Sequence, residues 1–263
     1  MPNVRDVLQK LYELAPANLR EDWDNVGLLC GSDDQPVTKI LVALDATMGV
    51  LQEAKERGCD LLVTHHPMLF GSVRAVNNSS VTGKELLFAA RNAIACVNLH
   101  TNLDCVCGGV GDKLAQLLRL QDAALVAPRG TDEQGRPYGY VYGGTVDQTT
   151  LPEFAEFVKR ALGCTGLRYA DGGKPVHRVA VGGGACGDEI PTVLAHGYDT
   201  FVTADIKYHM FLDAAQMGLN LIDAGHFQTE NPICAVLCDY LRASFPNIET
   251  LLSETHADPI CFA

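Results

Sequence analysis

The sequence predicts an α/β protein made of two similar domains related by internal duplication. Three observations carry this. Short apolar runs alternate with helix-length amphipathic stretches, the pattern of largely parallel sheets. One long stretch recurs later in the chain without a gap. Polar residues of metal-binding type collect just after the predicted strands, where parallel α/β sheets place their ligands.

The first element is a helix. Val4, Val7, Leu8, Leu11 and Leu14 recur at helical spacing. Strands follow at Lys39–Leu44, Asp60–Thr64 and Ile94–Leu99, with helices over Gly49–Arg57 and Gly83–Asn92 between them. In the second half, strands are expected at Val176–Val181, Thr200–Thr203 and Leu219–Ile222, with helices over Asp188–His196 and Pro232–Ala243. The stretch "KILVALDATMGVLQEAKERGCDLLVTHH" (Lys39–His66) lies over "RVAVGGGACGDEIPTVLAHGYDTFVTAD" (Arg178–Asp205) without a gap. Val42 falls on Val181, Gly58 on Gly197, Asp60 on Asp199, Val63 on Val202 and Thr64 on Thr203. The expected domains are therefore 1–125 and 126–263. They join near Gln121–Pro137, whose "APRGTDEQGRP" has the Pro, Gly and charge content of a linker.

Composition narrows the function. Of 263 residues, 47% are hydrophobic and 20% charged, which suits a folded chain rather than a disordered one. A net charge of −12 argues against nucleic acid as a partner, because phosphate neutralisation needs clustered Lys and Arg. No apolar stretch approaches the roughly 20 residues needed to span a bilayer. The N-terminus lacks a basic region followed by an apolar run, so no export signal and a cytoplasmic location are expected. The ten cysteines read as packed or incidental thiols. Several sit in apolar runs (Cys30, Cys96, Cys234, Cys238), and Cys105-Val-Cys107 lacks the spacing of a structural zinc site.

Candidate chemistry sits after the strands: "THHP" (His65, His66), "HTNLD" (His100, Asp104) and "DAGHFQTE" (His226, Glu230). Neighbours in an extended segment point to opposite faces, so His65 and His66 are expected to hold different things, and Pro67 to keep His66 extended. His226 and Glu230, four apart, share one face of a helical turn. Imidazole plus carboxylate suits a first-row divalent metal, and a carboxylate can bridge two ions. The candidate set is His65, His66, Asp104, His226 and Glu230, read as a dinuclear metal site. His100 is either a ligand or a residue that hydrogen-bonds one. His209, in "ADIKYH", is a candidate proton donor or a surface residue. His177, His196 and His256 read as surface or hydrogen-bonded histidines. "GGGACG" (Gly182–Gly187) fits a dinucleotide-binding glycine pattern, but its counterpart "ALDATM" has no glycine, so a tight turn is the better reading.

Taken together, "DNVGLLCG" (Asp24–Gly31), "THHP", "HTNLD", "ADIKYH" and "DAGHFQTE" resemble the dinuclear-metal-centre family of GTP cyclohydrolase 1 type 2 homologues, also called Nif-like proteins. The resemblance runs essentially end to end. It implies two similar α/β domains with the metals in the cleft between them. His65, His66 and Asp104 would come from the first domain, and His226 and a bridging Glu230 from the second. It also implies a hexameric ring of like chains. The cofactors implied are two divalent cations per chain, zinc, iron, manganese or nickel. The expected activity is metal-dependent hydrolysis of a nucleotide or phosphoester, a small-molecule substrate. The alternative is a non-catalytic metal-binding regulatory or scaffold ring.

Overall fold

A computed structural model describes residues 1–263, which divide into two compact units. Met1–Leu103 with Ile233–Ala257 form the first, and Asp104–Pro232 with Asp258–Ala263 the second. In chain order the first contributes β1 (Gly27–Cys30), β2 (Lys39–Ala43), β3 (Leu61–Thr64) and β4 (Ala95–Asn98). The second contributes β5 (Gln121–Leu125), β6 (Gly130–Thr131), β7 (Pro137–Tyr138), β8 (Tyr142–Thr149), β9 (Arg168–Ala170), β10 (Val176–Val181), β11 (Thr200–Thr203) and β12 (Asn220–Asp223). After the helix Pro232–Ser244, β13 (Glu249–Leu252) returns to the first.

The first unit holds a five-stranded sheet in the order β1-β4-β3-β2-β13, and the second a six-stranded sheet ordered β5-β8-β10-β11-β12-β9. β3, β4 and β11 are buried along their length, as are residues 40–43 of β2 and 179–181 of β10, which explains why these stretches read as largely apolar runs. Helices Met48–Glu56 and Val81–Arg91 cover the first sheet through Val50, Leu51, Ala54, Leu86 and Ala89. Against the second sheet pack Ile190, Val193, Ala214 and Leu219.

The repeat is a repeat of register. In the first unit β2 pairs parallel with β3, Val42 opposite Val63; in the second β10 pairs parallel with β11, Val181 opposite Val202. Each triplet then adds a parallel strand, β4 or β12, flanked by an antiparallel one, β1 or β9. The recurring Gly-x-Asp has a mechanical explanation. Gly58 and Gly197 take φ of +67° and +75°, which ends each helix in a conformation other residues adopt at a cost. Asp60 then accepts from the amides of Thr38 (2.7 Å) and Lys39 (3.1 Å), and Asp199 from those of His177 (3.1 Å) and Arg178 (2.7 Å). The same carboxylate holds the entry to the first strand of each repeat, β2 or β10.

Two expectations fail. Gln121–Pro137 is not a linker: β5 pairs with β8, and β6 with β7 in a small hairpin. Nor does the chain divide at 125/126. Asp104 falls in the second unit, while Ile233–Ala257 fall in the first because β13 pairs parallel with β2. That return is secured by Glu53, only 6% exposed, which accepts from Ser253 Oγ (2.6 Å), the Glu254 amide (3.0 Å) and Thr255 Oγ1 (2.8 Å). The cysteines are free thiols, most of them buried. No helix is long and apolar enough to cross a membrane.

Candidate functional site

In the first unit, β3 ends at Thr64 and the chain bends at once. Thr64 Oγ1 donates to the His66 carbonyl (2.7 Å), and the His66 amide to the Leu44 carbonyl (2.9 Å). His65 and His66 therefore do not continue the strand on opposite faces, as extended geometry predicts. Their ring centroids are 5.0 Å apart. His100, two residues beyond β4, brings its ring to 5.3 Å from His65 and 5.6 Å from His66. Ligand atoms of these three residues lie within 4.8 Å of one another.

Each ring has its Nδ1 committed. His65, fully buried, places Nδ1 2.9 Å from the Leu99 carbonyl, which can only accept, so Nδ1 carries the proton. His66 Nδ1 lies 2.7 Å from Asp45 Oδ1, and His100 Nδ1 2.7 Å from Asp24 Oδ1. Burial disfavours the Asp24 carboxylate, but hydrogen bonds from His100, Thr101 Oγ1 and the Thr101 amide outweigh it and hold the carboxyl at about 2. Asp45 behaves alike. Burial pushes its carboxyl up, and His256 and His66 pull it further down, well below the usual carboxylate range. Both acids are ionised acceptors at neutral pH, so His66 and His100 donate from Nδ1 and carry their lone pair on Nε2.

In the second unit, β12 leads into the short helix His226–Glu230, whose one turn sets His226 Nε2 2.8 Å from Glu230 Oε2. Asp205, a non-glycine residue at φ +54°, accepts from His226 Nδ1 (2.8 Å). By the repeat, Asp205 stands where the first unit has His66: one copy supplies an imidazole and the other a carboxylate that orients one. Glu230 is buried, and a carboxylate oxygen of Asp104 lies within 4.8 Å of one of Glu230. "GGGACG" is a turn rather than a nucleotide cradle. Any Cβ on Gly184 would collide with Glu230 Oε1, and the loop is pinned by Thr229 Oγ1 accepting from the Gly184 amide (3.0 Å) and by Thr203 Oγ1 donating to its carbonyl (3.0 Å).

These residues fit a metal on their own chemistry. His226 has a carboxylate at each nitrogen, yet a neutral imidazole has one N–H. Either the ring is protonated, or a cation sits with Nε2 and Glu230. Glu230 is buried and Asp104 half-buried, and carboxylates so placed suit a cation.

His65, His66, Asp104, His226 and Glu230 all belong to ligand groups, and so does His100. His209 is exposed on the first turn of helix Tyr208–Gln216, outside those groups. His177 and His196 are exposed and bonded to nearby carbonyls. His256 is hydrogen-bonded as expected, but its partner, Asp45, was not foreseen. Asp45 and Asp205 were missed as orienting acids, although both follow strands and the rule used for the ligands would have found them.

The family model described as Duf34/NIF3 (NGG1p interacting factor 3) matches residues 2–259. A Clostridium perfringens protein named GTP cyclohydrolase 1 type 2 homolog is 33% identical over 261 residues, covering 98% of this chain and 99% of its own. The structure of Staphylococcus aureus hypothetical protein SA1388 covers 100% of both chains at 28% identity with a TM-score of 0.92. That of a Bacillus cereus protein related to NIF3, 24% identical, covers 100% of this chain and 99% of its own at a TM-score of 0.93, and speaks to the fold. With a match spanning nearly every residue and a full-length relative at one-third identity, the chain belongs to the Duf34/NIF3 family.

Proposed function

We propose that the chain binds two divalent metal ions through His65, His66, Asp104, His226 and Glu230, and with them hydrolyses a nucleotide or another phosphoester. The observation carrying this reading is the tautomer of the imidazoles. His65, His66 and His226 each spend Nδ1 on an oxygen acceptor, which leaves Nε2 as a lone-pair donor. Ions held by such a set supply an activated water and stabilise developing negative charge.

The protein's part is to hold these donors in place. His65 is anchored on a buried carbonyl and His66 on a half-exposed carboxylate, so the two imidazoles are held by separate partners and serve different ions. Glu230 has two carboxylate oxygens, one beside His226, and is the donor that both ions can share. His100 keeps a proton on Nδ1 through Asp24 and can accept another on Nε2. The donor set accepts zinc, iron, manganese or nickel, with cellular supply deciding. The relatives' name favours a purine nucleotide as substrate, and assembly into a ring of like chains belongs to the same proposal.

The test is elemental analysis of protein purified without chelator, then a screen of nucleotides and phosphoesters with each metal. Two ions per chain are expected, with turnover lost on chelation and restored on reloading. One ion or none under metal-replete conditions would refute the dinuclear reading. Two ions with no turnover of any such compound would favour a non-catalytic metal-binding scaffold.

A further inference from the structure

His256 lies far along the chain from "THHP" and matches no ligand spacing, yet it ends in the same hydrogen-bonded chain. His66 Nδ1 donates to Asp45 Oδ1 (2.7 Å), and His256 Nε2 donates to Asp45 Oδ2 (3.0 Å). Asp45 is 40% exposed, whereas the His256 side chain is only 6% exposed. A carboxylate that open to water, held by one oxygen, would rotate and let His66 swing with it. Held at both oxygens, its plane is fixed, and so is the direction of His66 Nε2.

The first unit uses the same arrangement a second time, with local parts. Asp24 orients His100 with Oδ1, while its Oδ2 accepts from the Thr101 amide (3.1 Å) and Thr101 Oγ1 (2.5 Å). For His66 the second donor arrives from the C-terminal segment and is itself set in place. The His256 amide donates to Ser253 Oγ (3.2 Å), which donates to Glu53 (2.6 Å), and Thr255 is bonded to Glu53 as well.

We infer that His256 is a positioning residue for the metal held by His66, acting through Asp45. This rests on the metal-binding reading above. Removing it loosens His66 and lowers affinity at that ion, leaving the other ion in place. Residues that orient a metal-bound histidine from behind change metal affinity by roughly 10- to 100-fold, and the lower end is expected here because Asp45 remains.

The experiment is Co(II) titration of the full chain against a competing chelator, read by visible absorption, for wild type, His256→Ala and His256→Gln. A glutamine amide can place its nitrogen near the Nε2 position and restore the donor. Wild type is expected to show two classes of site. In His256→Ala one class should weaken by about tenfold, while His256→Gln stays close to wild type. Circular dichroism and thermal melting of the metal-free variants report the fold separately. If His256→Ala binds both ions as wild type does, the inference is overturned. It is equally overturned if both classes weaken together with a lower melting temperature, since His256 would then merely dock the C-terminal segment. If wild type takes up no Co(II), the metal reading itself has failed, which is a distinguishable result.

Discussion

Glu53→Gln isolates the clamp that holds the C-terminal segment on the first unit. The side chain is nearly buried and accepts from Arg57 Nη1, Ser253 Oγ, the amides of Glu254 and Thr255, and Thr255 Oγ1. Burial raises its carboxyl, but those donors outweigh it, and the group falls from 4.5 to about 2. A depression of that size corresponds to about 3 kcal/mol at neutral pH, and to about 2 kcal/mol after allowing for screening at the partly exposed Arg57. Glutamine keeps the shape but turns an NH2 group toward several of these donors, so most of that stabilisation should go. With roughly 2–4 °C of melting temperature per kcal/mol, the variant should melt about 4–8 °C lower. The sign with pH follows from the depressed value. The contribution is complete above the unfolded-state pKa of 4.5 and is lost as pH falls toward about 2. Denaturant unfolding of both proteins between about pH 7 and pH 3 should show the gap shrink by more than half at the acid end. A gap that stays constant over that range, or one below about 0.5 kcal/mol at neutral pH, would refute the argument.

Other outcomes follow from the site. Glu230→Ala should release both ions, whereas His65→Ala and His66→Ala should each weaken mainly one, measured as metal retained per chain after dialysis. Equal loss of both ions from either histidine variant would contradict separate attachment. Gly184→Ala should displace Glu230 and cut metal retention by about tenfold or more with little change in circular dichroism, because the added methyl meets the carboxylate itself. Asp104→Asn should lower any metal-dependent turnover strongly, an amide being a poorer ligand than a carboxylate. Unchanged turnover at full metal occupancy would exclude Asp104 as a ligand.

Much of the fold could be read because its central strands are buried on both faces. Residues 179–181 and Thr200–Thr203 are buried throughout, and the observed strands, Val176–Val181 and Thr200–Thr203, coincide with the expected bounds. The strands that escaped notice are polar or at edges. β5 is mostly exposed and β13 half-exposed, so neither shows a continuous apolar signal, and a Pro/Gly-rich stretch beside β5 looks like a linker. The candidate ligands could be read because they follow strands within short motifs. What spacing does not carry is the bend at His65–His66, which depends on a Thr64 hydroxyl bond, or contacts between residues distant in sequence. Asp45 with His256 and Asp24 with Thr101 are such contacts.

The return of β13 to the first sheet sets the order in which the chain can fold during synthesis. Its partner β2 is made early and then waits, with its hydrogen-bonding edge open, while all of 104–232 emerges. Every strand of the second sheet is contiguous within that interval, so it can close before the first sheet does. The ribosome thus delivers the second sheet complete and the first unfinished. An open β2 edge is a place where a nascent chain can pair with the wrong strand. A released chain truncated just before Glu249 should therefore show a protease-resistant second sheet joined to a susceptible first unit, and should aggregate through β2.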